Sequence, residues 1–362
     1  MKTPSPLLLS FQQWAWRRAV RLRAQLHPLD YFFWEATLRC NLSCRHCGSD
    51  CTRDAQQPEL TAEKVLAVFR DVAAHYDPTR ITVAVTGGEP LVRRDLFPIM
   101  AKIAGLGFPW GMVTNGMLVD ERVVALCAET GMRTVVVSLD GLEEAHNWLR
   151  NSPQSYTRAV NALRLFASAR QFQFVEAITC VHAGNIDQLE ELYQTIRGLG
   201  ANGWRIFTIF PKGRATVNPE ITVTGEVLTR TLEFIRCKRE EAPEWPVRYS
   251  EEGFLGCPWE TTVRDGHYYC GAGLNIAGLL CDGSYSACPS LARKWIQGHV
   301  DELPFSQAWE TRYTNMRDRR WMRNPSCGNC RQWSNCQGSG LHLWNWEQHR
   351  PNVCHYRMLH GE

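Results

Sequence analysis

Between residue 31 and about residue 240, short strand-like runs alternate six times with helix-length segments. The runs at 31–38, 81–85, 110–114, 134–139, 174–181 and 204–209 are rich in Val, Ile, Thr and aromatic residues. Several are continuously apolar, as strands buried on both faces should be. Helical segments fill the gaps at 61–76, 96–106, 121–129, 155–169 and 186–199, with Thr61 as N-cap of the first, and a further helix follows at 224–240. Such alternation predicts parallel strands joined by right-handed crossovers. Six units are too few for an eight-stranded barrel. The predicted fold is therefore α/β, an open, partial (β/α)6 barrel.

In such architectures chemistry gathers at the C-terminal ends of the strands. Cys40 follows the first run, Gly87 the second, Asn115 the third and Asp140 the fourth. Cys40, Cys44 and Cys47 lie in the run Arg-Cys-Asn-Leu-Ser-Cys-Arg-His-Cys, at intervals of three residues and then two. Three thiolates can hold three irons of a cubane [4Fe–4S] cluster and leave the fourth iron without a protein ligand. An open metal position takes a substrate or cofactor, as it does in catalytic zinc sites. The second run ends in Thr86-Gly87-Gly88-Glu89-Pro90, which alone would be only a turn.

Together, the cysteine triplet and Gly-Gly-Glu-Pro closely resemble the radical SAM (S-adenosylmethionine) family. The resemblance implies that the open iron chelates SAM and that one electron breaks its S–C5′ bond. The 5′-deoxyadenosyl radical so formed would abstract a hydrogen from the substrate. Cys40, Cys44 and Cys47 match the cluster ligands. His46 stands where an aromatic residue usually lies near the adenine. Gly87, Gly88, Glu89 and Pro90 match the motif that receives the SAM amino group, and Asn115 lies at the matching third-strand end. Ser138 and Asp140 look like the ribose-side residues. Arg150 resembles an arginine near the SAM carboxylate, although a solvated surface residue is an equal reading. Cys51 has no counterpart. It is either a buried structural thiol or a catalytic hydrogen donor to a substrate radical.

From Cys257 onward Gly, Cys and Trp become frequent, as in a compact region nucleated by metal. The series Cys270, Gly283, Cys288, Cys327, Cys330, Cys336 and Cys354 resembles the SPASM extension of the family, with six of its seven cysteine positions matched. The position expected at 340 holds Gly340 instead. By that resemblance Cys327, Cys330, Cys336 and Cys354 complete one auxiliary cluster. The other would use Cys270, Cys288, an upstream cysteine and the missing one. Cys257 is a candidate upstream ligand, and Cys281 and His342 are further candidates. One or two auxiliary [4Fe–4S] clusters are therefore expected. A zinc knuckle is the competing reading of Cys327–Cys354.

The chain is thus divided into a basic amphipathic helix within 1–30, a barrel over 31–240, a bridge over 241–256 and a SPASM domain over 257–362. The N-terminal helix, at 10–26, is expected to pack on the barrel, with a membrane surface or acidic partner as the alternative. A net charge of +3 is too small to argue for nucleic acid, and no segment has the length of a membrane span. Fifteen clustered cysteines in a chain this long suit metal ligation in a reducing cytoplasm better than a secreted disulfide framework.

The expected activity is a radical SAM/SPASM oxidoreductase or peptide maturase that acts on a peptide or protein side chain by crosslinking, epimerisation or oxidation. A small-molecule oxidase, for an aminocyclitol or tetrapyrrole, is the alternative. A non-catalytic iron–sulfur or zinc module is the reading from another class. Pro289 after Cys288 departs from the sulfatase-maturing type, which carries an aspartate there. The expected partners are a reductant such as flavodoxin or ferredoxin and a separate leader-binding protein.

Overall fold

A computed structural model describes residues 6–250, 252–323 and 327–361. Helix α1 (Pro6–Leu26) precedes strand β1 (Tyr31–Thr37). Then follow α2 (Ala62–His75), β2 (Thr82–Gly87), α3 (Leu96–Gly105), β3 (Trp110–Thr114), α4 (Glu121–Glu129) and β4 (Met132–Ser138). Two helices, α5 (Glu143–Arg150) and α6 (Ser155–Ala169), lead into β5 (Phe174–Val181), α7 (Leu189–Gly198), β6 (Gly203–Thr208) and α8 (Gly225–Glu241). Strands β1 to β6 lie side by side in chain order, each parallel to the next. This is the open α/β barrel that the alternation predicts.

The strands are held by side chains with no exposure to water. Trp34, Val83, Val85, Trp110, Val135, Val137, Trp204 and Ile206 are fully covered. On the outer layer, α2 buries Val65, Leu66, Val68, Phe69 and Val72. Each such side chain stabilises the fold by about 2 kcal/mol relative to exposure. The Thr61 side chain accepts from the Lys64 N–H at 3.4 Å and caps α2, as expected.

The sheet also extends beyond the six predicted strands. β7 (Val247–Tyr249) pairs parallel to β6, inside the segment read as a bridge. On the other side β8 (Ile276–Leu279) pairs parallel to β1, residues Tyr31 to Trp34 facing Ile276 to Leu279. β9 (Ser284–Ser286) and β10 (Gly298–His299) continue antiparallel from there. These strands are too short for a hydrophobic period to show in the sequence. The cysteine-rich segment therefore shares its sheet with the barrel.

Helix α1 differs from its expected placement. It packs on the C-terminal segment rather than on the barrel. Trp16 donates to the Tyr268 carbonyl at 3.3 Å, Arg17 to Asn335 Oδ1 at 2.9 Å and Gln13 to Cys257 Sγ at 3.2 Å. Val20 is buried there, and the neighbouring polar and aromatic residues find polar partners. Leu7, Phe11 and Trp14 face outward and are exposed.

The β1–β8 pairing implies that the barrel depends on the C-terminal segment to cover the edge of β1. A chain ending at residue 262 should be aggregated in size-exclusion chromatography where the full chain is monodisperse. A monodisperse, folded fragment would contradict this dependence.

Candidate metal centre

The loop that follows β1 is held by contacts from two other strand ends and from one helix. The Gly88 N–H donates to the Thr37 carbonyl at 2.7 Å, and the Glu89 N–H to the Arg39 carbonyl at 3.0 Å. A Cβ at Gly87 would lie 2.1 Å from the Thr37 oxygen, and one at Gly88 2.2 Å from the Arg39 oxygen. Gly87 also has φ +137°, a backbone region closed to other residues. The two glycines therefore let the end of β2 lie directly on the backbone that leads into Cys40. After β6, the Arg214 N–H donates to the Cys47 carbonyl at 3.0 Å, and Arg214 Nε to the Cys44 carbonyl at 2.7 Å. Helix α5 supplies the Leu149 carbonyl, which accepts from the Arg45 N–H at 2.8 Å.

This clamp gathers Cys40, Cys44 and Cys51 in one buried cluster with Leu42, and Cys47 packs against it. Nitrogen donors surround the sulfurs. Cys40 Sγ accepts from the Leu42 N–H at 3.5 Å and from Asn115 Nδ2 at 3.9 Å. Cys44 Sγ accepts from Arg150 Nη1 at 3.8 Å, and Cys47 Sγ from the Cys51 N–H at 3.4 Å. The Cys51 thiol also donates to Cys47, which is the main reason the Cys47 pKa falls to about 5. The same bond and burial push the Cys51 thiol up, so it keeps its proton. Burial pushes Cys40 to about 11 in the absence of metal.

Among the described residues, no three of these sulfurs lie within 4.8 Å of one another. Tetrahedral zinc would bring its sulfurs to about 3.8 Å, given Zn–S bonds of ~2.3 Å. The triad is buried, ringed by N–H donors and spread wider than a mononuclear site. It therefore fits a cubane cluster.

The other predicted site residues converge beside the triad. Glu89 is buried. Its Oε1 accepts from Thr114 Oγ1 at 2.8 Å and from the Leu91 N–H at 3.2 Å. Its Oε2 accepts from the Asn115 N–H at 2.8 Å. Burial outweighs these bonds and raises its pKa to about 6. Pro90 opens the short 3-10 turn that follows, capped by the Glu89 side chain. The Asn115 side chain donates to Asn41 Oδ1 at 2.8 Å and so joins the third strand end to the cysteine loop. Ser138 is buried at the end of β4. Two residues on, Asp140 receives Arg150 Nε at 2.5 Å and the Cys180 N–H at 2.8 Å. Burial works against the Asp140 carboxylate, but the Arg150 charge overrides it and holds the pKa at about 2. Arg150 is thus an interior residue that bridges Asp140 and Cys44, not a surface one. His46 lies within 4.8 Å of Asp140 and Cys180, with burial lowering its pKa to about 3. Of that trio, Asp140 already has a cation in Arg150.

Sequence reasoning missed Lys212 and Arg214, which follow β6. A glycine between two basic residues just past a strand end was the available signal. Gly213 is needed because a Cβ there would lie 2.4 Å from the Cys47 carbonyl. Lys212 Nζ donates to the carbonyl of Ser290, two residues after Cys288, so it spans from the first site to the second.

In the C-terminal array, Cys327, Cys330 and Cys354 surround Cys336 closely enough for their charges to add to the burial that raises its thiol. No three of these sulfurs lie within 4.8 Å among the described residues, so they too are spaced for a cluster rather than for a zinc knuckle. Cys270 lies near enough to Cys288 for its charge to act there. Cys257 stands apart. Its sulfur is taken by Gln13 of α1, and besides burial only that bond and Glu260 act on it. Cys281 is enclosed by the Glu35–Arg293 ion pair. His342 is interior, and burial, aided by Lys212, holds its pKa at about 4.

Comparison with known proteins agrees with this geometry. Residues 34–196 match the radical SAM superfamily, and residues 270–331 match SPASM, an iron–sulfur cluster-binding domain. The chain is a radical SAM protein with a SPASM domain. Its cofactors are S-adenosylmethionine, a [4Fe–4S] cluster and auxiliary iron–sulfur. It is 26% identical over 324 residues to an AdoMet-dependent heme synthase of Methanosarcina barkeri, covering 84% of this chain and 89% of that one. It is 27% identical over 314 residues to the mycofactocin maturase MftC of Mycolicibacterium smegmatis, covering 84% and 76%. Native anSMEcpe with bound AdoMet shares the fold, with a TM-score of 0.71 at 17% identity over 92% of this chain and 95% of that one.

If Gly88 is needed for close approach, Gly88→Ala should push the cysteine loop away from β2. The anaerobically reconstituted variant should then lack one cubane's worth of iron, with the C-terminal cluster signal retained. A full iron complement would show that the approach is dispensable.

Proposed function

We propose that this chain uses S-adenosylmethionine to take a hydrogen atom from a peptide or protein side chain, as an oxidoreductase or peptide maturase. The observation that carries the reading is the Cys40–Cys44–Cys47 triad, buried between Glu89 and the Asp140–Arg150 pair at adjoining strand ends. When bound, the cluster supplies the electron that splits S-adenosylmethionine and releases the 5′-deoxyadenosyl radical.

The chain's own residues position that chemistry. Cys40, Cys44 and Cys47 would hold the cluster. The Glu89 carboxylate would complement the amino group of S-adenosylmethionine, with Gly87, Gly88 and Pro90 holding that carboxylate beside the cysteine loop. Ser138 and Asp140 would serve the ribose and His46 the adenine. Arg150 sits between Asp140 and Cys44, where it meets the carboxylate end and damps the negative charge on the sulfurs. Asn115 fixes the cysteine loop. The Cys51 thiol keeps its proton and donates to Cys47. That contact makes it a tuner of a ligand sulfur. Cys327, Cys330, Cys336 and Cys354 hold an auxiliary cluster. A cytoplasmic reductant of the flavodoxin or ferredoxin type and a separate leader-binding protein complete the system.

The maturase relative supports a peptide substrate. The heme synthase relative, matched over the same share of the chain, favours a second reading in which the substrate is a tetrapyrrole. Reductive incubation with SAM and either a peptide encoded beside this gene or an iron porphyrin separates the two. Mass change, or deuterium uptake from heavy water, should appear in the peptide arm alone. Change in the porphyrin arm alone would overturn the peptide reading.

Cys44→Ala should abolish release of 5′-deoxyadenosine under reducing conditions, measured by chromatography. Undiminished release would remove the basis of the proposal. The raised Glu89 pKa sets a second expectation. Its carboxylate forms only above about pH 6, so S-adenosylmethionine affinity should fall as pH drops through that value. The fall should approach about tenfold per pH unit in equilibrium dialysis, and Glu89→Gln should flatten it.

A further inference from the structure

All fifteen cysteines lie among the described residues, so each can be assigned a place. Cys40, Cys44, Cys47 and Cys51 form the first site. Cys127 and Cys237 lie in α4 and α8, and Cys180 lies beside Asp140. Cys257 and Cys281 are taken by Gln13 and by the Glu35–Arg293 pair. Cys327, Cys330, Cys336 and Cys354 act on one another. Only Cys270 and Cys288 remain for the first auxiliary position, and two thiols are too few to hold a cubane.

The space left by the missing cysteine is not empty. A Cβ built on Gly340 would lie 2.5 Å from the Glu252 carbonyl oxygen, and 2.8 Å from Cε1 and 3.0 Å from Nδ1 of His342. The imidazole thus stands where the side chain of a cysteine at 340 would begin. It is packed edge-on against Phe210, with ring centroids 4.9 Å apart. Among the described residues, no hydrogen bond holds either of its nitrogens.

Two cationic side chains tie this turn to the segments that carry the remaining cysteines. Arg319 donates to the Cys270 carbonyl at 2.9 Å and to the Ser339 carbonyl at 3.2 Å, which lays the turn against Cys270. Lys212 rests on the carbonyls of Ser290 and Leu291, just after Cys288, and its N–H donates at 2.9 Å to the carbonyl of Phe210, whose ring packs on His342.

We propose that His342 replaces the missing cysteine as a ligand of the first auxiliary cluster. With Cys270 and Cys288 it makes a three-ligand site and leaves one iron open to an exogenous ligand. The proposal rests on the SPASM reading of the C-terminal segment, not on the identity of the substrate. Imidazole for thiolate removes a negative charge from the cluster and raises its potential.

The test uses the full chain, reconstituted anaerobically. Iron and sulfide should account for three cubanes. The combined Cys40→Ala, Cys44→Ala and Cys47→Ala variant isolates the auxiliary pair. In that background, Cys270→Ala should remove one further cubane. Histidine labelled with ¹⁵N should couple to the reduced cluster in pulsed EPR. His342→Ala should lose that coupling, and His342→Cys should lose it while keeping the iron and lowering the potential. Iron for only two cubanes in the parent chain would overturn the proposal. So would a nitrogen coupling that survives His342→Cys. Release of 5′-deoxyadenosine by the parent chain reads the first site separately, so its failure would strike the proposed function and not this assignment.

Discussion

The backbone of β2's last residues rests on the backbone that follows β1, with no side chain between them. That contact brings Glu89 and Cys40 to one place, and only glycine at 87 and 88 permits it. The neighbouring strand ends then close in around the same loop. Asn115 ties the third, Arg150 reaches in from the helix after the fourth, and Arg214 holds it from beyond the sixth. A parallel sheet makes this possible because every strand delivers its C-terminal end to the same rim.

The electrostatics of the rim are those of a site built for charged guests. The Asp140–Arg150 pair is buried, and removal of either partner would strand the other at a cost of about 3–5 kcal/mol. Among the described residues Glu89 makes no ion pair, which is an expensive arrangement for a buried carboxylate unless a ligand brings a cation. The thiols of Cys40 and Cys44 are raised by burial, so loading with metal must displace protons. The cysteine loop is thus prepared by donors and a guanidinium for negative sulfur.

Six strands and their helices were legible from the chain because each spans enough residues to show a continuous apolar or periodic pattern. β7 and β8 were not, since three or four residues carry no period. Their places are set by partners across the sheet. The docking of α1 was misplaced for a related reason: its pattern marks an amphipathic helix but names no partner. Cys257 illustrates the same limit in the site. Its spacing to Cys270 allowed a ligand role, and the Gln13 contact on its sulfur comes from a helix more than two hundred residues earlier.

Spacing along the chain was enough to single out the cysteine triplet, the Gly-Gly-Glu-Pro turn and the dense C-terminal group, because the members of each lie within a few residues of each other. Order along the barrel was also readable, since parallel strands place successive motifs on one rim. What spacing could not decide was how residues far apart in the chain share space. Arg150 proved to be interior, Lys212 to span two sites, and His342 to fill the volume beside Gly340. These follow from packing between distant segments, and no local pattern encodes which imidazole ends beside which missing sulfur.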